Sequence, residues 1–185
     1  RISLKKAIAI SCDTVWYTIA YREWLKDGGL NPKNPNDYFF NVANGFQISK
    51  KTGIDLPSES AGRVPDRAWK QNYWESTKDF YCNYKERADK KALTPFLILL
   101  AHENCIDGMK VRAGDAVNFA IGQGDTILTP LKMAQMYAAI GNGGTIWQPT
   151  VGKAIVTTDG KVIKEITPKV LGTIPADKET LDFLN

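Results

Sequence analysis

The sequence predicts an α+β chain, built mostly of helices and completed by a small β-hairpin. Three observations carry this. Apolar residues recur at helical spacing in several capped segments. Glycine stops the clearest of those segments. Asp159-Gly160 separates two strand-like runs, 150–157 and 161–166, and is a strong hairpin signal.

Ser3 is a good N-cap for a helix over residues 4–10, with Leu4, Ala7 and Ile8 on one face. The run Ser11-Cys12-Asp13-Thr14 then interrupts the pattern with cap-type polar groups. A second helix is predicted over 15–26. There Val15, Trp16, Ile19, Ala20 and Trp24 keep helical spacing, and Gly28-Gly29 stops the chain. Residues 31–37 are turn chemistry, and a short helix is expected over 37–44. Residues 45–66 are rich in Gly, Pro and Ser and read as an irregular loop. The stretch 66–92 is dense in charge and aromatic residues and reads as helical in part. Another helix is predicted over 94–104. The clearest element runs from 129 to 140: Thr129 caps it, and Pro130 sits at the first position, where its missing N–H costs nothing. Met133, Met136, Tyr137 and Ile140 form its expected apolar stripe. Gly141 ends it, and Asn142-Gly143-Gly144 turns the chain.

The chain has 185 residues, enough for one domain or part of a larger one. Its 43% hydrophobic and 24% charged residues suit a globular core. The net charge of +4 slightly favours an anionic surface such as a membrane or cell wall. No basic cluster is interleaved with aromatics as nucleic-acid binding requires, so no nucleic-acid partner is expected. The longest apolar stretch, 96–101, is far short of a membrane span. The chain starts at Arg1 with no signal-like segment and stops at Asn185 inside an amphipathic stretch, so both ends read as cut. The three cysteines have no C-x-x-C spacing, and His102 is the lone histidine, so no metal or other cofactor is expected. Cys82 and Cys105 flank one charged segment and can pair in an oxidising compartment, worth roughly 2–4 kcal/mol.

Three constellations bear on chemistry. Ser11-x-Asp13, at a break between helices, can hold a hydroxyl and a carboxylate towards a cleft; the same residues are also ordinary helix caps. Gly122-Gln123-Gly124-Asp125, ahead of Thr129-Pro130, lacks both a preceding strand and a Gly-Lys-Ser/Thr ending. It therefore reads as a sharp turn into a packed helix rather than a phosphate loop. Lys51-Thr52-Gly53 matches a short motif of penicillin-recognising serine enzymes, but Pro57 soon breaks any strand, so it reads as structural.

Taken together, these pieces resemble class B penicillin-binding proteins. The run 6–14, ending Ser11-Cys12-Asp13-Thr14, looks like their second active-site motif in the Ser-x-Asp form of elongation-type members. Residues 51–57 and 62–65 resemble the loop that follows it. Residues 120–125 with 129–136 are the most specific match, continued by Asn142-Gly143-Gly144 and Pro149. Residues 66–115 look like an insertion of the sort found in actinobacterial members.

The resemblance implies a penicillin-binding-protein transpeptidase-like (serine β-lactamase-like) fold, of which residues 1–185 hold mostly the helical part plus the hairpin. It implies acyl transfer on the D-Ala-D-Ala end of a peptidoglycan stem peptide, and inhibition by β-lactams that acylate the same serine. Ser11 would hydrogen-bond the catalytic lysine and relay a proton to the leaving group. Asp13 would contact that lysine or orient the substrate amide. The nucleophile's Ser-x-x-Lys, the catalytic Lys-Thr-Gly and an N-terminal anchor are expected outside the chain. Ser3-Leu4-Lys5-Lys6 matches the first motif's letters but lies too close to Ser11. The chain alone is therefore expected to be inactive, with apolar surface left bare. The implied setting is the extracytoplasmic face of the bacterial membrane, beside a glycan-polymerising membrane partner, where a Cys82–Cys105 disulfide would persist. A β-lactam sensor or hydrolase on the same fold, and a non-catalytic binding module, are the alternatives.

Overall fold

The computed structural model describes residues 2–184. In chain order the elements are α1 (Leu4–Ala9), α2 (Asp13–Lys26), α3 (Tyr38–Gly45), α4 (Arg67–Cys82), a 3-10 turn (Lys90–Ala92), α5 (Pro95–Asp107), α6 (Ala113–Phe119), α7 (Pro130–Gly141), β1 (Thr145–Trp147), β2 (Ala154–Val156), β3 (Val162–Glu165), β4 (Val170–Thr173) and α8 (Lys178–Leu184). They divide into two compact units. One holds the chain up to Asp37 together with Pro65–Asp125, and the other holds Tyr38–Val64 and the chain from Thr126 onward.

Helix starts follow one device. A side-chain oxygen at the N-cap accepts the backbone N–H three residues on, satisfying a donor the helix cannot. Ser3 accepts from Lys6 at 3.2 Å, Asp66 from Trp69 at 2.8 Å, Thr94 from Leu97 at 3.3 Å and Thr129 from Lys132 at 3.1 Å. Pro95 and Pro130 occupy the first turns of α5 and α7.

In the first unit, α2 packs on α6 and α4 on α5. Trp24 of α2 donates its indole N–H to the Val111 carbonyl at 2.9 Å, beside buried Ala20 and Val111. Helix α6 is not foreseen by the sequence reading. It starts without a Ser, Thr, Asp or Asn cap; instead the Asp115 carboxylate reaches back to the Arg112 N–H at 2.8 Å. Asp115 also pairs with Lys70 of α4. Trp74 of α4 donates to the Asn104 and Cys105 carbonyls of α5 at 3.1 and 3.2 Å. Cys82 and Cys105 are joined by a disulfide, their Cα atoms 4.8 Å apart. The approach is close enough to need glycine at 108, where a Cβ would lie 2.3 Å from the Asn104 oxygen and 2.6 Å from the Trp74 ring.

In the second unit, Ala139 of α7, Ile146 of β1, Ile174 and Leu181 of α8 form the core, with Phe46 and Ile140 against it. Strand β1 pairs antiparallel with β4 and β2 with β3, as two separate two-stranded sheets. The hairpin lies within the predicted span but is shorter. Its turn is closed by the Gly160 N–H on the Thr157 carbonyl at 3.0 Å, with Gly160 at φ +87°.

Gly141 ends α7 as expected, with Asn142 as its C-cap. The expected stripe is corrected in half of its members. Ile140 packs against the core and Met136 is half-buried, but Met133 and Tyr137 are exposed, and the buried residues of α7 are Lys132, Gln135 and Ala139. The polar pair can turn inward because its groups satisfy one another. The Lys132 ammonium donates to Gln135 Oε1 at 2.8 Å, and the Gln135 amide donates to the Trp147 carbonyl at 2.7 Å. The outward face, Met133 and Tyr137 with Leu128 and Pro130, lines an open apolar groove.

The outward placement of Tyr137 is testable by equilibrium urea unfolding. Ile146→Ala, which empties a fully buried site, should cost about 2–4 kcal/mol, and Tyr137→Ser should stay within about 0.5 kcal/mol of wild type. A larger loss at Tyr137 than at Ile146 would restore the original stripe.

Candidate active site

Ser11 and Asp13 lie on the corner between α1 and α2, and the backbone around them forms a complete helix stop. The Ser11 N–H donates to the Ile8 carbonyl at 3.1 Å, and the Cys12 N–H donates back to Ala7 at 2.9 Å. These are the two hydrogen bonds of a Schellman closure, with Ile10 as C-cap and Ser11 as the residue that must turn left-handed. Ser11 has φ +49°. Glycine is the usual residue there, because an L side chain in that conformation costs about 1–2 kcal/mol. Fully buried Ala7 anchors the inner side of the corner.

The next helix starts at once. The Asp13 N–H donates to the Ser11 carbonyl at 3.0 Å, and Val15 donates to Cys12 at 3.1 Å. Cys12 is the N-cap of α2 and supplies no side-chain cap hydrogen bond. Asp13 is the first residue of the helix, where an acidic group suits the positive end of the helix dipole. Neither Ser11 nor Asp13 is the N-cap of α2: Ser11 is the left-handed residue that closes α1, and Asp13 is the acidic first residue of α2. Both side chains are exposed, two residues apart on one corner.

The motif Lys51-Thr52-Gly53 lies in the second unit and is built as a latch. Thr52 is fully buried. The Glu59 carboxylate accepts the Thr52 N–H at 2.5 Å and the Gly53 N–H at 2.9 Å. Burial pushes the Glu59 carboxyl up, but the Thr52 hydroxyl, the two amides and the charge of Lys132 outweigh it and hold it below the ordinary glutamate value. Burial in turn pushes Lys132 down, partly offset by Glu59. Asp55 accepts the Val151 and Gly152 amides at 2.7 and 3.0 Å, which also lowers its carboxyl. The Gln148 side chain donates to the Gly53 carbonyl. The structural reading of this tripeptide agrees with that wiring. Sequence reasoning missed Glu59, Lys132 and Gln135; the available signal was a lysine and a glutamine three apart on one helix face. In the first unit, Gly122 and Gly124 adopt φ +72° and +76° in a tight turn ahead of Asp125.

Two outcomes follow. Ser11→Gly should raise stability by about 1 kcal/mol in urea unfolding, since it relieves the left-handed serine; a loss would show that the serine side chain supports the fold. Because the Glu59 pKa is depressed in the folded state, its contribution is present above about pH 4.3 and is lost as pH falls below that. Glu59→Gln should flatten that acid limb of the stability profile, and an unchanged limb would refute the latch.

The geometry can be set beside known proteins. The chain is similar to the peptidoglycan D,D-transpeptidase MrdA of Salmonella typhimurium, at 29% identity over 148 residues, covering 80% of this chain and 17% of that protein. It is similar to penicillin-binding protein H of Bacillus subtilis, at 31% identity over 156 residues, 80% of this chain and 16% of that one. The chain thus spans less than a fifth of the length of these relatives. Its fold matches the penicillin-binding protein PBP2 solved in complex with MreC from Helicobacter pylori, with a TM-score of 0.58 at 20% identity over 99% of this chain and 24% of that one. Penicillin-binding protein 2B of Streptococcus pneumoniae strain R6 matches with a TM-score of 0.58 at 18% identity, over the same shares. The penicillin-binding protein transpeptidase domain matches residues 1–185, and the chain belongs to that family.

Proposed function

We propose that this chain is part of a peptidoglycan D,D-transpeptidase and that Ser11 and Asp13 line its acylation centre. The observation that carries the reading is Ser11 itself. A serine is held, exposed, at a helix stop where glycine would be more stable, and it is not the N-cap of α2. Strain of this kind is tolerated where the side chain has a task. The task is the one the resemblance implies for the second active-site motif, and membership of the transpeptidase domain family supports it.

In this reading a serine from another part of the whole protein attacks the carbonyl between the two D-Ala residues of a stem peptide. The C–N bond breaks, the last D-Ala leaves as the amine, and the acyl group stays on the serine. The amine of a second stem peptide then attacks the ester, forming the cross-link and freeing the serine. The Ser11 hydroxyl hydrogen-bonds the lysine that deprotonates the nucleophile and passes the proton to the departing amine. The Asp13 carboxylate holds that lysine or the substrate amide. β-Lactams acylate the same serine. Residues 66–115 are an insertion in this domain. The setting is the extracytoplasmic face of a bacterial membrane, with an anchor and a glycan-polymerising membrane partner belonging to the whole protein. The Cys82–Cys105 disulfide supports the location, since such bonds persist in oxidising compartments.

The test is acylation of the whole protein by a fluorescent penicillin. Ser11→Ala should slow labelling by roughly 10²-fold or more, the usual worth of a positioned proton-transfer group. Wild-type labelling rates in Ser11→Ala would sink the assignment.

A further inference from the structure

Polar contacts in the second unit close into a ring. The Glu59 carboxylate accepts the Thr52 and Gly53 amides at 2.5 and 2.9 Å. The Gly53 carbonyl accepts the Gln148 side-chain amide. One residue back, the Trp147 carbonyl accepts the Gln135 amide at 2.7 Å, and Gln135 Oε1 accepts from the Lys132 ammonium at 2.8 Å. The charge of Lys132 bears on Glu59 and completes the circuit. The ring joins the loop 51–59, the start of α7, and the end of β1 with the residue after it. All of these residues belong to one compact unit. Thr52 is 0% exposed, Lys132 1% and Gln135 8%. Burial already complete here does not depend on what the whole protein adds.

One joint of this ring can lose its charge to a proton in acid. Amide side chains and backbone carbonyls keep their character there, but a carboxylate does not. Protonated Glu59 offers the two amides only a weaker, neutral acceptor, and it withdraws the countercharge of a buried ammonium. The charges facing this joint are Lys132 of α7 and exposed Lys50, which bears on Lys132. Asp55 lies on the same loop but holds separate amides, those of Val151 and Gly152. The loop is also strained. Ser58, directly before Glu59, has φ +62°, a left-handed conformation that disfavours an L side chain. A catch that loses its acceptor therefore opens with relief of strain rather than against it.

We propose that Glu59 is an acid-released catch: protonation of its carboxyl opens the ring and frees the loop 51–59 from α7 and from residues 147–148, while the core of the unit stays folded. Above the ordinary glutamate range the carboxylate is charged and the catch is shut. Lys132 sets how firmly it shuts, because a neighbouring positive charge favours the ionised carboxyl. In the extracytoplasmic setting proposed above, the catch meets the pH of the medium; that setting bears on its use and not on its operation. The catch needs no nucleophile, so penicillin labelling and loop opening succeed or fail separately.

The experiment is hydrogen exchange of the whole protein between about pH 7 and about pH 3, read by mass spectrometry as protection factors for peptides over 51–54 and over α7. Protection of 51–54 should be level above about pH 4.3 and fall by up to about tenfold per pH unit below it, since the open loop binds a proton that the closed loop resists. Protection of α7 should hold throughout. Glu59→Gln should abolish the fall. Lys132→Met should shrink the fall and end it at higher pH, because the closed-state carboxyl then titrates nearer its ordinary value; an equal drop at every pH would overturn the role given to Lys132. A level wild-type profile would overturn the catch. So would an unchanged fall in Glu59→Gln, or loss of protection in α7 at the same pH, since the loop would then open only with the whole unit. If Lys132→Met does not fold, the wild-type and Glu59→Gln profiles decide alone.

Discussion

One hydrogen bond sets the corner on which the candidate chemistry sits: the Cys12 N–H on the Ala7 carbonyl, at 2.9 Å. It can form only if Ser11 turns left-handed, and that turn ends α1 and lets α2 begin within three residues. The far end of α2 is held by the Trp24 indole on the Val111 carbonyl, and Ala20 is buried between. The backbone of the helix is therefore tied at both ends. Proton transfer and substrate orientation need placement to about half an ångström, which side chains on tied elements provide better than side chains on free loops. The strain at Ser11 and the rigidity of α2 are two parts of one arrangement.

Loops in this chain are held by a recurrent carboxylate device. Glu59 accepts the successive amides of Thr52 and Gly53, Asp55 those of Val151 and Gly152, and Asp27 those of Asn36 and Asp37 at 2.8 and 3.0 Å. A carboxylate has lone pairs enough for two neighbouring N–H groups, and a charged acceptor makes the stronger bond. Segments without helix or strand thus satisfy their backbone donors. The same logic explains the buried lysine of α7. Lys132 tolerates the interior because Gln135 accepts a hydrogen bond from its ammonium and Glu59 supplies the opposite charge.

What was legible in the sequence is what depends on near neighbours. The caps Ser3 and Thr129, the Gly28-Gly29 stop and the Asp159-Gly160 turn act over a few residues, so their letters suffice. What was illegible depends on distant partners. The β1–β4 pair joins Thr145–Trp147 to a segment more than twenty residues on, and no local window sees both. The orientation of α7 was misread because counting apolar residues cannot detect that Lys132 and Gln135 find their acceptors inside. Helix α6 was missed because its cap runs backward, from Asp115 to the Arg112 amide. At the candidate site, the break between two helical segments and the resemblance both single out Ser11 and Asp13, but neither is the N-cap of α2, and a positive φ at a serine has no sequence signature.

Exposed apolar surface on α7 lies on one side of the helix only. On α7, Met133 and Tyr137 are bare on one side of a helix whose other side is packed, and they line a groove with Leu128 and Pro130. One-sided exposure of that sort needs only a second surface of protein to cover it.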